Sequence, residues 1–341
     1  METNNKIEFL AIGDIVVDAF ITLKNAHVHN GIDKETIASS ELCVAFGDKI
    51  PYESVDVVNA VGNSPNAAVS ASRLGLRSAL LATVGGDQNG IDCLDYLKKE
   101  NIIIDFIKTD ENKKTNYHYV LRYGVERTIL VKHEEYEYKL PDFGDIQISY
   151  IYLSSLADHT LPLHNEIVEY IKKNPSTKLV FQPGTFQMKM GTEILKDVYA
   201  HTEIFFCNLE EAQKILNIQT RDIKILMSGI HNLGPKIIAI SDGPNGAYAS
   251  DMRDAKTEIF YIPQYPDIGE PVDRTGAGDA FASTFTSAIL LGKTVPEALS
   301  WGPINSMSVV QYIGAQKGLL THEKIEGYLK NAPESYKITK L

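Results

Sequence analysis

A chain of 341 residues with 44% hydrophobic content and no long polar tract can bury one large core or two unequal ones. Its 33 Lys and Arg against 44 Asp and Glu give a net charge of −11, and the scattered basic residues argue against nucleic acid or an anionic membrane as partner. Cys43, Cys93 and Cys207 are widely spaced with no Cys-x-x-Cys pair, which reads as reduced thiols and not as a disulfide or zinc framework. The polar start at Met1–Lys6 and the short apolar run Phe9–Ile12 give neither a signal-peptide core nor a membrane span, so the expectation is a cytoplasmic protein.

In chain order, Ile7–Ile12 reads as an apolar strand that ends at Gly13-Asp14, with Asp18 four residues on. Ionised carboxylates there accept hydrogen bonds well from vicinal hydroxyls, although a strand-ending Gly-Asp also serves as a plain turn. Residues 20–56 break the pattern of the rest and look like extra β-structure. Gly62-Asn63-Ser64-Pro65-Asn66 then leads into a helix ending near Leu74, stopped by Gly75. Asn63 and Asn66 offer donors and acceptors to a sugar, or else they cap the helix. A strand at Ala79–Val84 runs into Gly85-Gly86-Asp87, where Asp87 suits a cap for a helix over Asp92–Glu100.

Residues 115–131, with the alternating Tyr117-His118-Tyr119-Val120-Leu121 and a turn at Gly124, are a second β-segment outside the main pattern. With residues 20–56 they predict a small discontinuous β lid, leaving 1–19, 57–114 and 132–341 as the α/β domain. Strands follow at Ile148–Leu153, Leu179–Gln182, Ile204–Cys207 and Ile237–Ser241, with helices at Asn165–Lys172, Leu209–Leu216 and Ile223–Leu233. Such alternation predicts a doubly wound, mostly parallel sheet flanked by helices, which gathers ligands beyond its C-terminal strand ends.

Asn208 and Glu211, directly after a strand, lie three apart on one side of a starting helix. They suit a magnesium ion held through waters, or a capping box. Ser241-Asp242-Gly243-Pro244-Asn245-Gly246-Ala247 has the composition of a hairpin turn able to lay backbone against a nucleotide. The most informative run is Asp273-Arg274-Thr275-Gly276-Ala277-Gly278-Asp279, followed by helical spacing from Ala280 to Gly292. Unpaired N–H groups at that helix start attract an anion, and Asp279 in the first turn is placed to take a proton from an attacking hydroxyl. Gly292-Lys293-Thr294 imitates a P-loop end but follows a helix, and His27-Val28-His29 lacks a third metal ligand.

Taken together, Gly13-Asp14 with Asp18, Gly62–Asn66, Gly85–Asp87, Asn208–Glu211, Ser241–Ala247 and Asp273–Asp279 resemble the ordered motif series of the ribokinase-like (PfkB) carbohydrate kinase family across almost the whole chain. The resemblance implies ATP-dependent transfer to a primary hydroxyl, with Asp279 as general base and Gly276, Ala277 and Gly278 as the anion hole. It assigns Asp14, Asp18, Gly62, Asn63 and Asn66 to the acceptor. It assigns Asn208, Ser241, Gly243, Gly246, Thr275 and Asn305 to ATP, Asn305 beside the adenine, and Glu211 to Mg2+. A monovalent cation (K+) near Asp273 and Gly314-Ala315, and a homodimer through the lid, follow by the same analogy. Three positions depart from the pattern: Val61-Gly62 replaces a glycine pair, Gln182 follows a strand where many relatives carry an acid, and Arg274 stands where Thr is common. The long gap between Asp18 and Gly62 leans the reading toward a ribose-containing acceptor such as a nucleoside, with Tyr117, Tyr119 and Phe186 as a stacking wall. A free or phosphorylated sugar (ribose, fructose or keto-deoxy type) and a non-catalytic sugar or nucleotide sensor are the alternatives.

Overall fold

The computed structural model describes residues 5–30, 40–124, 126–253 and 257–341. The first half runs β1 (Lys6–Ile12), β2 (Val16–Leu23), β3 (His27–Asn30), β4 (Ser40–Cys43), β5 (Tyr52–Val61), α1 (Asn63–Arg73), β6 (Ser78–Gly85) and α2 (Gln88–Lys99). It continues with β7 (Ile107–Asp110), β8 (Asn116–Tyr123), β9 (Glu126–Leu130), β10 (Gln147–Leu153), α3 (Leu161–Lys173) and β11 (Lys178–Phe181). Short helices α4 (Thr185–Met190) and α5 (Lys196–Ala200) lead to β12 (Thr202–Asn208), α6 (Leu209–Leu216), α7 (Ile223–His231) and β13 (Ile237–Ser241). The chain closes with β14 (Ala247–Asp251), β15 (Glu258–Ile262), α8 (Ala277–Leu290), α9 (Val295–Val309), α10 (His322–Lys330) and β16 (Thr339–Lys340).

Ten strands form one sheet in the order β16-β15-β14-β13-β12-β11-β10-β1-β6-β7. Pairing is parallel from β7 through β13 and antiparallel beyond it. The inner parallel strands are largely buried on both faces, as helices on both sides require, while the edge strand β7 is open to solvent. Their residues alternate between two cores: Ile237 and Ala239 face one, with α1, α8 and α9, while Ile238 and Ile240 face the other, with α3, α6 and α7. The chain winds outward in both directions from β1 and β10, so the C-terminal ends of these neighbours diverge at a topological switch point. Gly13, Asp14 and Ser154 lie there, and Ser64 Oγ at the start of α1 meets Ser154 Oγ at 2.6 Å.

A second, four-stranded sheet, in the order β5-β2-β8-β9, covers this edge as the lid. In its first segment the strands run from Val16 (β2) to Val61 (β5), further into the α/β chain than the expected 20–56, because the apolar run from Val16 pairs continuously with Asn116–Arg122. Asp18 therefore enters on a lid strand. His118 is its direct partner across the parallel β2–β8 pair.

Candidate active site

The start of α8 is fixed by Gly276, which takes a left-handed φ of 81° and whose added Cβ would stand 2.2 Å from the Ala315 side chain. A Cβ on Gly278, by contrast, would meet no protein atom within 4 Å, and Gly278 lines the cavity. The open volume at this helix start is therefore space for a ligand, with the unpaired N–H groups of the first turn at its edge.

Asp279, 7% exposed, lies on the same turn and opens onto a cavity of about 470 Å³. Asn63 Nδ2 donates to its Oδ1 at 2.6 Å, Asn66 Nδ2 to its Oδ2 at 2.8 Å, and Gln182 Nε2 to its Oδ1 at 3.1 Å. The two asparagines share a face because they sit three apart at the start of α1, where Gly62 precedes the helix with a φ of 119°. Asn63 and Asn66 are thus helix residues whose side chains serve the carboxylate, and neither caps α1. Burial pushes the Asp279 carboxyl above its ordinary value, and the three amide donors pull against that rise. A carboxyl so held has raised basicity.

At the lid end, the Tyr138 hydroxyl donates to Asp14 Oδ1. His133 Nδ1 lies 3.5 Å from Asp14 Oδ2 and His118 Nδ1 lies 3.4 Å from Asp18 Oδ1, with the two imidazole rings 5.2 Å apart. Asp14 Oδ2, Asp18 Oδ1, His118 Nε2 and His133 Nδ1 are buried and make no hydrogen bond among the described residues. Four such atoms around one cavity, two of them acceptor-only carboxylate oxygens, call for a ligand rich in hydroxyl groups, and Arg127 at the rim suits an anionic group on it. The expected aromatic wall is absent from this lining. Side chains alternate along β8, so with His118 on the cavity side Tyr117 and Tyr119 point the other way, where their rings meet at 5.2 Å. Phe186 stands behind His133, edge-on at 6.0 Å.

A second cavity of about 330 Å³ adjoins the first, and Ser241, Arg274, Gly278 and Phe281 line both. Gly243 and Gly246, from the turn between β13 and β14, line one wall and Pro303, Met307 and Val310 give it an apolar floor. Asn305 requires a correction: it is fully buried on the opposite side of α9 and borders neither cavity. Its amide donates to Thr284 Oγ1 at 2.7 Å and its oxygen accepts from Leu320 N at 2.9 Å, which ties α9 to α8 and to the chain before α10. Ser306, one residue on, is the polar side chain of α9 that faces the cavity.

Asn208 and Glu211 form the reciprocal capping box of α6: Asn208 N donates to Glu211 Oε2 and Glu211 N to Asn208 Oδ1, both at 2.8 Å. Both also line the larger cavity. Burial pushes the Glu211 carboxyl up, a cost that a cation beside its second oxygen would offset. Thr275 donates through N and Oγ1 to Asp273 Oδ1, and Asp273 Oδ2 accepts from Gly314 N at 3.0 Å, so this carboxylate staples the loop after α9 to the start of α8. Sequence reasoning noted Gln182 only as a departure. It passed over Tyr152, His133 and Arg127, whose placement depends on strand ends and lid pairing far apart in the chain.

The sequence profile of the pfkB family carbohydrate kinases matches residues 37–322. A 5-dehydro-2-deoxygluconokinase of Bacillus thuringiensis is 25% identical over 343 residues, covering 88% of this chain and 96% of its own. Among solved structures, Arabidopsis thaliana ribokinase complexed with ribose and ATP aligns with a TM-score of 0.78 at 17% identity, over 95% of this chain and 99% of that one. A nucleoside kinase of Methanocaldococcus jannaschii, a member of the ribokinase family, aligns with a TM-score of 0.75 at 20% identity, over 96% of this chain and 100% of that one.

Proposed function

Because the chain belongs to the pfkB family of carbohydrate kinases, we propose that it transfers the γ-phosphate of ATP to a primary hydroxyl of a free sugar of the keto-deoxy type, with Asp279 as general base. The observation that carries this reading is Asp279 itself: buried, held by three amides, and beside Gly278 where the two cavities meet. The acceptor occupies the polar cavity with its hydroxyl at Asp279, and the nucleotide occupies the second with its phosphates at the start of α8. As the acceptor oxygen bonds to phosphorus and the bond from phosphorus to the ADP oxygen breaks, the hydroxyl proton passes to Asp279. Charge on the transferring group is met by the N–H groups of Gly276–Gly278 and by Arg274, and such positioning supplies most of the catalysis in phosphoryl transfer. The donor set would also suit Mg2+: Glu211 and Asn208 would hold it, and the ion would neutralise phosphate charge.

A sugar is favoured over a nucleoside by the lining. Among the described residues the acceptor end offers carboxylates, imidazoles and Arg127, while Tyr117, Tyr119 and Phe186 do not line it to take a base. The relative named as a 5-dehydro-2-deoxygluconokinase, matched along 96% of its length, supports a keto-deoxy sugar. The test is ADP release with purified protein, ATP and Mg2+ against keto-deoxy sugar acids, ribose, fructose and adenosine. The expected result is kcat/KM at least tenfold higher for a keto-deoxy sugar acid than for adenosine. Preference for adenosine would overturn the acceptor assignment, and no ADP release with any acceptor would overturn the kinase reading.

A further inference from the structure

Asp279 is surrounded by amides, and an amide is ambivalent: turned over, it presents oxygen where it had presented nitrogen. Something must hold the donors toward the carboxylate. For Asn66 the chain of constraint is visible. Its Oδ1 accepts from Gln316 Nε2 at 2.9 Å, so its Nδ2 is left for Asp279. Gln316 is 1% exposed, and the same Nε2 also donates to the carbonyl of Ala60 at 2.8 Å. A backbone carbonyl cannot become a donor. Ala60 is in turn fixed at a left-handed φ of 55°, unusual for a residue with a Cβ, with its N–H on Cys93 Sγ at 3.2 Å. Gln316 Oε1 is buried with no hydrogen bond among the described residues, so the site needs its nitrogen and not its oxygen.

Resting on the proposed role of Asp279, we infer that Gln316 is a positioning residue for the reaction: anchored on the Ala60 carbonyl, it sets the polarity of Asn66 and thereby keeps a donor on the general base. Gln316 itself borders neither cavity. The charged and titratable groups around Asp279 are Asp14 beyond β1, Asp18 and His118 on the lid strands, Arg127 on β9, His133, Tyr152 on β10, Cys207 and Glu211 at β12 and α6, and Arg274 before α8. None of them hydrogen-bonds the Gln316 side chain; Arg73 reaches only its backbone carbonyl, at 2.7 Å.

The test is the pH profile of kcat/KM for ADP release, measured on wild type, Gln316→Glu, Gln316→Met, Asn66→Ala and the two corresponding double variants. The introduced carboxyl presents oxygen to Asn66, turns its amide over and sets a carbonyl against Asp279. The acid limb then moves to higher pH by roughly one unit, as the loss of a donor to a carboxylate requires. Gln316→Met frees the amide without reversing it and moves the limb in the same direction by less. In the Asn66→Ala background Gln316→Met moves the limb no further, because the route through Asn66 is gone, and Gln316→Glu keeps only the smaller through-space effect of its charge. A residue that merely packs would lower activity at every pH alike. Limbs that coincide with wild type in both folded single variants, or that shift equally with and without Asn66, would overturn the inference; should the glutamate variant not fold, the methionine pair decides. If wild type itself lacks an acid limb assignable to Asp279, it is the proposed general-base role of Asp279 that fails.

Discussion

Replacing Asp279 with Asn removes one charge and one proton acceptor with almost no change in volume. Among the described residues the carboxylate has no understudy: the three side chains that hydrogen-bond to it, Asn63, Asn66 and Gln182, are all amides donating to it, and none can take a proton. General-base catalysis is worth about 10²- to 10⁴-fold, or roughly 2.7–5.4 kcal/mol of barrier. With no second base in contact, the upper half of that range is expected, so kcat should fall by roughly 10³-fold or more. ATP binding, measured by calorimetry, should persist. Stability supplies an independent check with a definite sign. Burial holds the folded carboxyl above its ordinary value, so the stability it contributes is present below the unfolded pKa and is lost as pH rises through the folded one. The amide variant has no such loss. Its Tm relative to wild type should therefore climb between acidic and neutral pH, even though one donor-against-donor contact, costing about 1–3 kcal/mol, offsets the gain throughout. A variant with kcat within tenfold of wild type, or a Tm difference that stays flat over that window, would refute the reasoning.

The acid limb of the wild-type kcat/KM profile should lie above the ordinary carboxylate range, because Asp279 must be ionised to act and burial raises its pKa; a limb at or below the value of a free Asp in a titration of ADP release would contradict this. Gly278→Ala should fold with an unchanged Tm, since its Cβ meets no protein atom, yet lose about 10²-fold in kcat as the methyl takes the phosphoryl group's space. Arg274→Ala, at the rim shared by both cavities, should raise KM for ATP by about tenfold, the worth of one hydrogen bond to a charged group, while leaving the acid limb in place. Gln182→Glu sets a like charge within hydrogen-bond reach of Asp279 and should drive that limb toward higher pH by one unit or more in the same assay.

How much of this was legible in the chain follows from what periodicity encodes. Strand-and-helix alternation predicts the parallel sheet because each strand is apolar on both faces, and the glycine-bounded ends mark where ligands gather. Which way a side chain points needs the rotation of its element. On α9 the cavity residues Pro303, Ser306, Met307 and Val310 follow the i, i+3, i+4, i+7 spacing of one helix face, and Asn305 falls off it. That face is readable once the helix is known to begin at Val295, after the Thr294–Glu297 capping box. The lid works likewise through parity: Tyr117 and Tyr119 share one side of β8 and His118 the other, so a histidine in the cavity forbids the tyrosine wall. The relay from Ala60 through Gln316 to Asn66 could not be read at all, because it joins residues 256 and 250 positions apart by contacts that no local pattern announces.

The choice of amides around the base has its own physical logic. A lysine or arginine in contact with Asp279 would hold the carboxylate ionised but pull its pKa down, and a weak base takes a proton from an alcohol poorly. An apolar wall would raise the pKa until the group stayed protonated at neutral pH. Amide donors fall between these limits: they stabilise the charge that burial opposes without neutralising it, and the net direction here is upward. Such a balance depends on orientation, since an amide stabilises the carboxylate through nitrogen and repels it through oxygen. Two of the three are held from behind by groups with fixed roles. Tyr152, fully buried with its phenol pushed far up and so kept a donor, occupies Gln182 Oε1, as Gln316 occupies Asn66 Oδ1. Tyr152→Phe should therefore act on the pH profile in the same direction as substitution of Gln316 does, reaching Asp279 through a different amide on the other carboxylate oxygen.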